Sequence, residues 1–120
     1  MGVPVGTPIQ ASSGNVANAA AAAVLPARAN ATAYLAGFQI TAGGATAAAL
    51  VVATVTGLLG GTKSYVFAAP AGATAGATPL AVNFDPPLPA SAQNQAITVT
   101  LPALGAGNTN AVAEANGFYA

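Results

Sequence analysis

From residue 95 the chain reads QAITVTL, in which Ile97, Val99 and Leu101 alternate with Thr98 and Thr100. A period of two with one apolar side predicts a half-buried strand. KSYVF (63–67) sets Lys63, Tyr65 and Phe67 against Ser64 and Val66, and LAVNF (80–84) sets Leu80, Val82 and Phe84 against Ala81 and Asn83. Both predict strands. Upstream, TAYLAGFQI (32–40) aligns Tyr34, Ala36, Phe38 and Ile40, and LVVATVT (50–56) is β-branched on both faces. The final segment, NAVAEANGFYA (110–120), is extended with Val112, Glu114, Asn116 and Phe118 on one side.

Glycine and proline fall between these runs, in TAGGAT (41–46), GLLGGT (57–62), PAGATAGAT (70–78), DPPLPAS (85–91) and ALGAGNTN (103–110). Glycine supplies positive φ and proline removes a donor, so these stretches predict turns. The LLGG connection makes 50–56 and 63–69 the best hairpin candidate. Short strands separated by such turns predict an all-β chain, an antiparallel β-sandwich or jelly roll of about eight strands. MGVPVGTPIQ (1–10) carries two prolines and reads as extended, so 1–14 is expected to be an N-terminal arm and 15–120 a single sandwich domain. ANAAAAAVLPARA (17–29) is ambiguous. Val16, Ala20 and Val24 have helical spacing, but such a helix would span about 11 residues before Pro26 and be marginal alone. An extended segment with methyl-sized side chains is preferred, with the helix kept open.

Composition changes the picture in one respect. Arg28, Lys63, Asp85 and Glu114 are the only charged side chains, 3% of the chain, against roughly 25% in ordinary soluble domains. Leu, Ile, Val and Phe supply 27 of 120 residues, and much of the 54% hydrophobic fraction is alanine. The core is therefore modest and the surface is Thr, Asn, Gln, Ser, Ala and Gly. A neutral chain has little colloidal repulsion, and uncharged contacts neither depend on salt nor require ions to be desolvated. Those properties suit permanent assembly. A small secreted domain with a neutral surface is the other reading.

Residue types also exclude chemistry. With no histidine and no cysteine, the usual general base, the commonest transition-metal ligand and any disulfide framework are missing. Asp85, before Pro86 and Pro87, is expected in a turn and Glu114 on a solvated strand position, so no carboxylate pair is expected. GLLGGTKS departs from a phosphate-binding loop because Thr62 separates Gly61 from Lys63. Two basic residues give no footprint for nucleic acid. AAAAAVL with ARA at 27–29 resembles an export signal without its basic start, and 45–59 falls short of the ~20 residues of a spanning helix. NAT at 30–32 matches a glycosylation sequon, and the TVT motifs at 54–56 and 98–100 suggest threonine ladders, although alternating threonine is also an ordinary solvent face. No catalytic, cofactor or metal site is expected.

SGNVANAAAAAVLPA, YLAGFQIT, VTGLLGGTKSYVFAAPAG, FDPPLPAS and ITVTLPALGAGNTNAVAEANGFYA together resemble small virion proteins of tailed bacteriophages, of the capsid decoration or cement type, over most of 12–120. The resemblance implies a compact β-sandwich or jelly roll that oligomerises, with a trimer favoured. It also implies attachment to a major capsid protein on the outer surface of the virion after synthesis in the host cytoplasm, with no enzyme activity. Tail, collar or head-fibre roles fit the same texture. The candidate contact residues are Val3, Pro4, Val5 and Ile9 at one end and Phe118 and Tyr119 at the other, because apolar termini fray unless docked. Edge or core packing is the alternative for each. A receptor- or glycan-binding β module is a second expectation, from Tyr34, Tyr65, Tyr119 and the many Asn and Gln residues.

Overall fold

A computed structural model describes residues 7–104 and 109–120, and within them every regular element is a strand. In chain order these are β1 (Thr7–Ser12), β2 (Ala21–Leu25), β3 (Ala33–Gly43), β4 (Ala49–Thr56), β5 (Lys63–Ala69), β6 (Leu80–Pro89), β7 (Ile97–Leu101) and β8 (Asn110–Tyr119). They form two antiparallel four-stranded sheets, β1-β8-β3-β6 and β2-β7-β4-β5. The first strand pairs with the last, the second with the seventh, the third with the sixth and the fourth with the fifth. That nesting is a long hairpin rolled into two sheets, the jelly roll. No helix among the described residues is long and apolar enough to cross a membrane.

Strand alternation builds the core. Leu25, Leu35, Ile40, Val55, Ile97, Val99 and Leu101 are fully buried. Alanine fills the space between them, chiefly Ala21 and Ala23 of β2 and Ala111, Ala113 and Ala115 of β8. The alanine run therefore includes a strand. Ala21, Ala23 and Leu25 point inward while Ala22 and Val24 point out, and sheet pairing to β7 overrides alanine's intrinsic helix preference. Phe38 meets Tyr65 edge-on at 5.2 Å and Phe84 at 6.1 Å, filling the space between the sheets on the β5 and β6 side.

Expectations along the chain meet the structure unevenly. The β4–β5 hairpin forms in continuous register from Ala49 opposite Ala69 to Val55 opposite Lys63. Residues 7–12 of the expected arm are extended but belong to the sheet, paired to β8 from Thr7 opposite Tyr119 to Ser12 opposite Glu114. Beyond Ser12, side chains continue the pairing. The Ser13 Oγ accepts from the Ala113 amide at 2.9 Å and the Asn15 Oδ1 accepts from the Ala111 amide at 3.2 Å.

Two expectations are corrected. Tyr34, Ala36, Phe38 and Ile40 do not share a face, because a bulge at Ala36 breaks the register: Leu35 lies opposite Gly117 and Gly37 opposite Asn116. Ala33 and Leu35 are buried before it and Phe38 and Ile40 after it, while Tyr34 points outward. An extra residue changes the phase of everything beyond it. Second, Asp85 and the prolines that follow lie inside β6 rather than in a turn. β6 pairs only with β3, so Pro86, Pro87 and Pro89 sit on an edge, where a missing donor is tolerated.

Candidate interaction faces

The outer faces of the two sheets are candidate interaction surfaces. Their chemistries differ. On β2-β7-β4-β5, strand alternation turns Leu50, Val52, Thr54 and Thr56 outward from β4 and Ser64, Val66 and Ala68 from β5. Leu50 keeps 75% of its surface exposed and Val66 72%. Register places Leu50 opposite Ala68 and Val52 opposite Val66, which makes one apolar patch. Beside it, Thr54 lies opposite Thr100 and Thr56 opposite Thr98, so the two TVT motifs meet on one face. No ionised group of the described residues interrupts this face, since Lys63 belongs to the opposite alternation at the start of β5.

The outer face of β1-β8-β3-β6 is organised in rows. Pro8, Phe118, Tyr34 and Pro89 form the first, with the Phe118 and Tyr34 rings stacked at 5.0 Å and 7°. Gln10, Asn116, Gly37 and Asn83 form the second, and Ser12, Glu114, Gln39 and Ala81 the third. The second and third rows line a polar cleft of about 540 Å3. Gly37 is its floor. A Cβ there would lie 2.7 Å from the Asn83 Oδ1 and 2.8 Å from the Val82 carbonyl oxygen, so only glycine permits the two amide side chains to close over the bulge.

Of the expected contact residues that are described, β1–β8 pairing sets Ile9 opposite Gly117, next to Phe118 and Tyr119, but the three do not share a face. Val3, Pro4 and Val5 lie outside the described residues. Ile9 is half-buried and packs against the core, whereas Phe118 is on the outer face in its stack with Tyr34. Tyr119 is buried, with its hydroxyl donating to the Pro26 carbonyl at 2.6 Å and the Arg28 guanidinium 5.2 Å from its ring centre. Within the chain it packs. The three tyrosines do not converge either, since Tyr65 lies half-buried against Phe38, where desolvation raises its pKa above the ordinary value.

Leu50, Val52 and Val66 were not singled out by the sequence pattern. LVVATVT is apolar on both faces, which signals that something covers its second side, but the signal does not say which side is the core. Among the described residues no group of three or more metal-ligating side chains occurs. The fold and its faces thus define a nearly uncharged eight-stranded jelly roll with one apolar and one polar sheet surface. No protein-family model matches the chain, and neither a curated protein nor a solved structure is significantly similar to it.

Proposed function

We propose that the chain is a non-enzymatic structural protein of a bacteriophage virion, which self-associates and attaches to the outside of the capsid as a decoration or cement protein. The observation that carries the reading is the uncharged face on which Leu50, Val52 and Val66 stand exposed. Contiguous apolar surface of this kind marks protein–protein contact rather than a free surface. A cement protein works by multivalency: each copy touches several capsid subunits, and modest contacts sum through effective concentration into near-irreversible binding. The jelly roll supplies a rigid two-faced block for that task, and the texture of the sequence resembles such proteins. Mass spectrometry of gradient-purified particles from the parent phage tests it, with the chain expected at a fixed copy number per major capsid protein. Its absence from intact particles would overturn the reading.

The polar cleft favours a second reading, a module that binds neutral saccharides. Gln10, Gln39, Asn83 and Asn116 present amide donors and acceptors from all four strands around Gly37, and amides recognise hydroxyl groups without charge. A glycan array probed with the wild type and with Asn83→Ala tests this reading. Binding lost in the variant supports it, and a blank array with the wild type removes it.

A further inference from the structure

Two open sheets leave four edge strands, β1, β6, β2 and β5. An edge offers unpaired backbone donors and acceptors to any other strand, and proteins blunt it with proline, bulges, charge, short length or cover. Three of these edges are blunted. β1 carries Pro8; β6 carries Pro86, Pro87 and Pro89, loses register opposite the bulge and accepts at its Pro89 carbonyl a 3.0 Å bond from the Leu59 amide; β2 is five residues long and runs into Pro26. β5 has only one of these devices, the charge of Lys63, and that at its very end. Its seven residues include no proline and no bulge, and among the described residues no backbone bond from a loop reaches them. The same strand carries Val66, the centre of the exposed patch.

We infer that β5 is the self-association edge, and that two copies pair antiparallel along it across a two-fold axis at Val66. The occupant is a second copy because the symmetric register suits this strand's own sequence. Centred on Val66, Lys63 falls opposite Ala69 of the second copy, so the two ammonium groups lie at opposite ends of the seam. Ser64 falls opposite Ala68, and Tyr65 opposite Phe67, an aromatic cross-strand pair on the inner side. On the outer side Val52 and Val66 meet their symmetry mates in one row, joining the two apolar patches. Main-chain bonds give such an edge contact its direction, and the patches give it apolar area. The result is a continuous eight-stranded sheet.

The pairing rests on the self-association part of the proposed function and not on capsid attachment, so the two fail separately. The chain has no cysteine, which makes cross-linking decisive. Residues directly opposite in an antiparallel pair have Cα atoms about 4.5 to 5.5 Å apart, within reach of a disulfide. Val66→Cys is therefore expected to form a covalent dimer under mild oxidation at least about tenfold faster than Val24→Cys on the β2 edge, because the paired thiols share a high effective concentration. Ser64→Cys alone stays slow, and an equimolar mixture with Ala68→Cys becomes fast. Light scattering should give the wild type the mass of a dimer and Val66→Lys, at a solvent-exposed position, that of a monomer with an unchanged circular dichroism spectrum. Equal rates at 66 and 24 would overturn the pairing. So would a monomeric or trimeric wild type, and a monomer that is nonetheless found on particles would leave the virion reading standing.

Discussion

The hydroxyl of Tyr119 in β8 donates a 2.6 Å hydrogen bond to the carbonyl oxygen of Pro26, the residue that follows β2. That bond ties one sheet to the end of the other's edge strand, with Arg28 over the same ring. Tyr119→Phe keeps the ring and removes the donor, and should cost about 1 kcal/mol. Tyr119→Ala also empties the space beneath the ring and should cost about 3 to 5 kcal/mol, as for other large aromatic truncations. Urea unfolding followed by circular dichroism separates the two. Equal losses would mean that the hydroxyl carries the whole effect and the ring none.

Gly117 lies against the backbone of β3, where a Cβ would overlap the Tyr34 carbonyl oxygen. Backbone cannot swing aside as a side chain does. Gly117→Ala is therefore expected to destabilise the fold by about 1 to 3 kcal/mol or more, the range of overpacked sites. Gly76→Ala meets only the Ala42 carbonyl oxygen at 3.9 Å and should be neutral or slightly stabilising, because it restricts the unfolded chain. Melting temperatures of the pair check the contrast.

Leu101 is fully buried at the end of β7, whereas Val24 on the neighbouring β2 keeps 44% of its surface. Leu101→Ala should cost about 2 to 5 kcal/mol in transfer and cavity terms. Val24→Thr should stay within about 0.5 kcal/mol, as ordinary surface changes do. Chemical denaturation midpoints at equal slope test both, and a small loss at Leu101 would show a core that collapses around the gap.

Tyr65 should make stability depend on alkaline pH. Desolvation favours its neutral phenol, so the folded-state pKa lies above the ordinary phenol value of 10.0. At pH values well below 10 both states are protonated and the contribution is fully present. As pH rises past the unfolded value and through the folded one, the unfolded chain loses its proton first and stability falls. Thermal unfolding between pH 9 and pH 11 should show a smaller decline for Tyr65→Phe than for the wild type.

Much of the fold was legible because several strands bury one complete face. In β7 the alternation of Ile97, Val99 and Leu101 with threonine is uninterrupted, and in β4–β5 a glycine-rich turn joins two β-rich runs. What escaped was set by neighbours rather than by local pattern. The phase of β3 depends on a bulge at Ala36, where Leu35 pairs with Gly117 and Gly37, two residues on, with Asn116. Period-two counting carries no information about that mismatch. LAVNF was legible as a strand, but the prolines hid its continuation through Pro89, because they are tolerable only on an edge, and edges are a property of the assembled sheet. β1 has few apolar residues and is a strand because β8 offers it a partner.

The interaction faces were less legible than the fold. Phe118 is on an outer face but Tyr119 beside it is buried, a difference that one step along a strand decides. The apolar patch lay within a segment with large side chains on both sides, where only packing tells inside from outside. Its partner residues Val52 and Val66 are 14 positions apart and meet through the register of the hairpin.

The nesting of first strand with last also governs how the chain can be made. β8 lies between β1 and β3, so the sheet that contains them has no continuous ladder until Asn110–Tyr119 has left the ribosome. Contacts between such distant segments form slowly, after a long loop has closed. Until then β3 waits with one side unpaired, while the local β4–β5 hairpin can form early. Synthesis halted before β8 would release a species with an open central gap, the kind that aggregates or is captured by a chaperone.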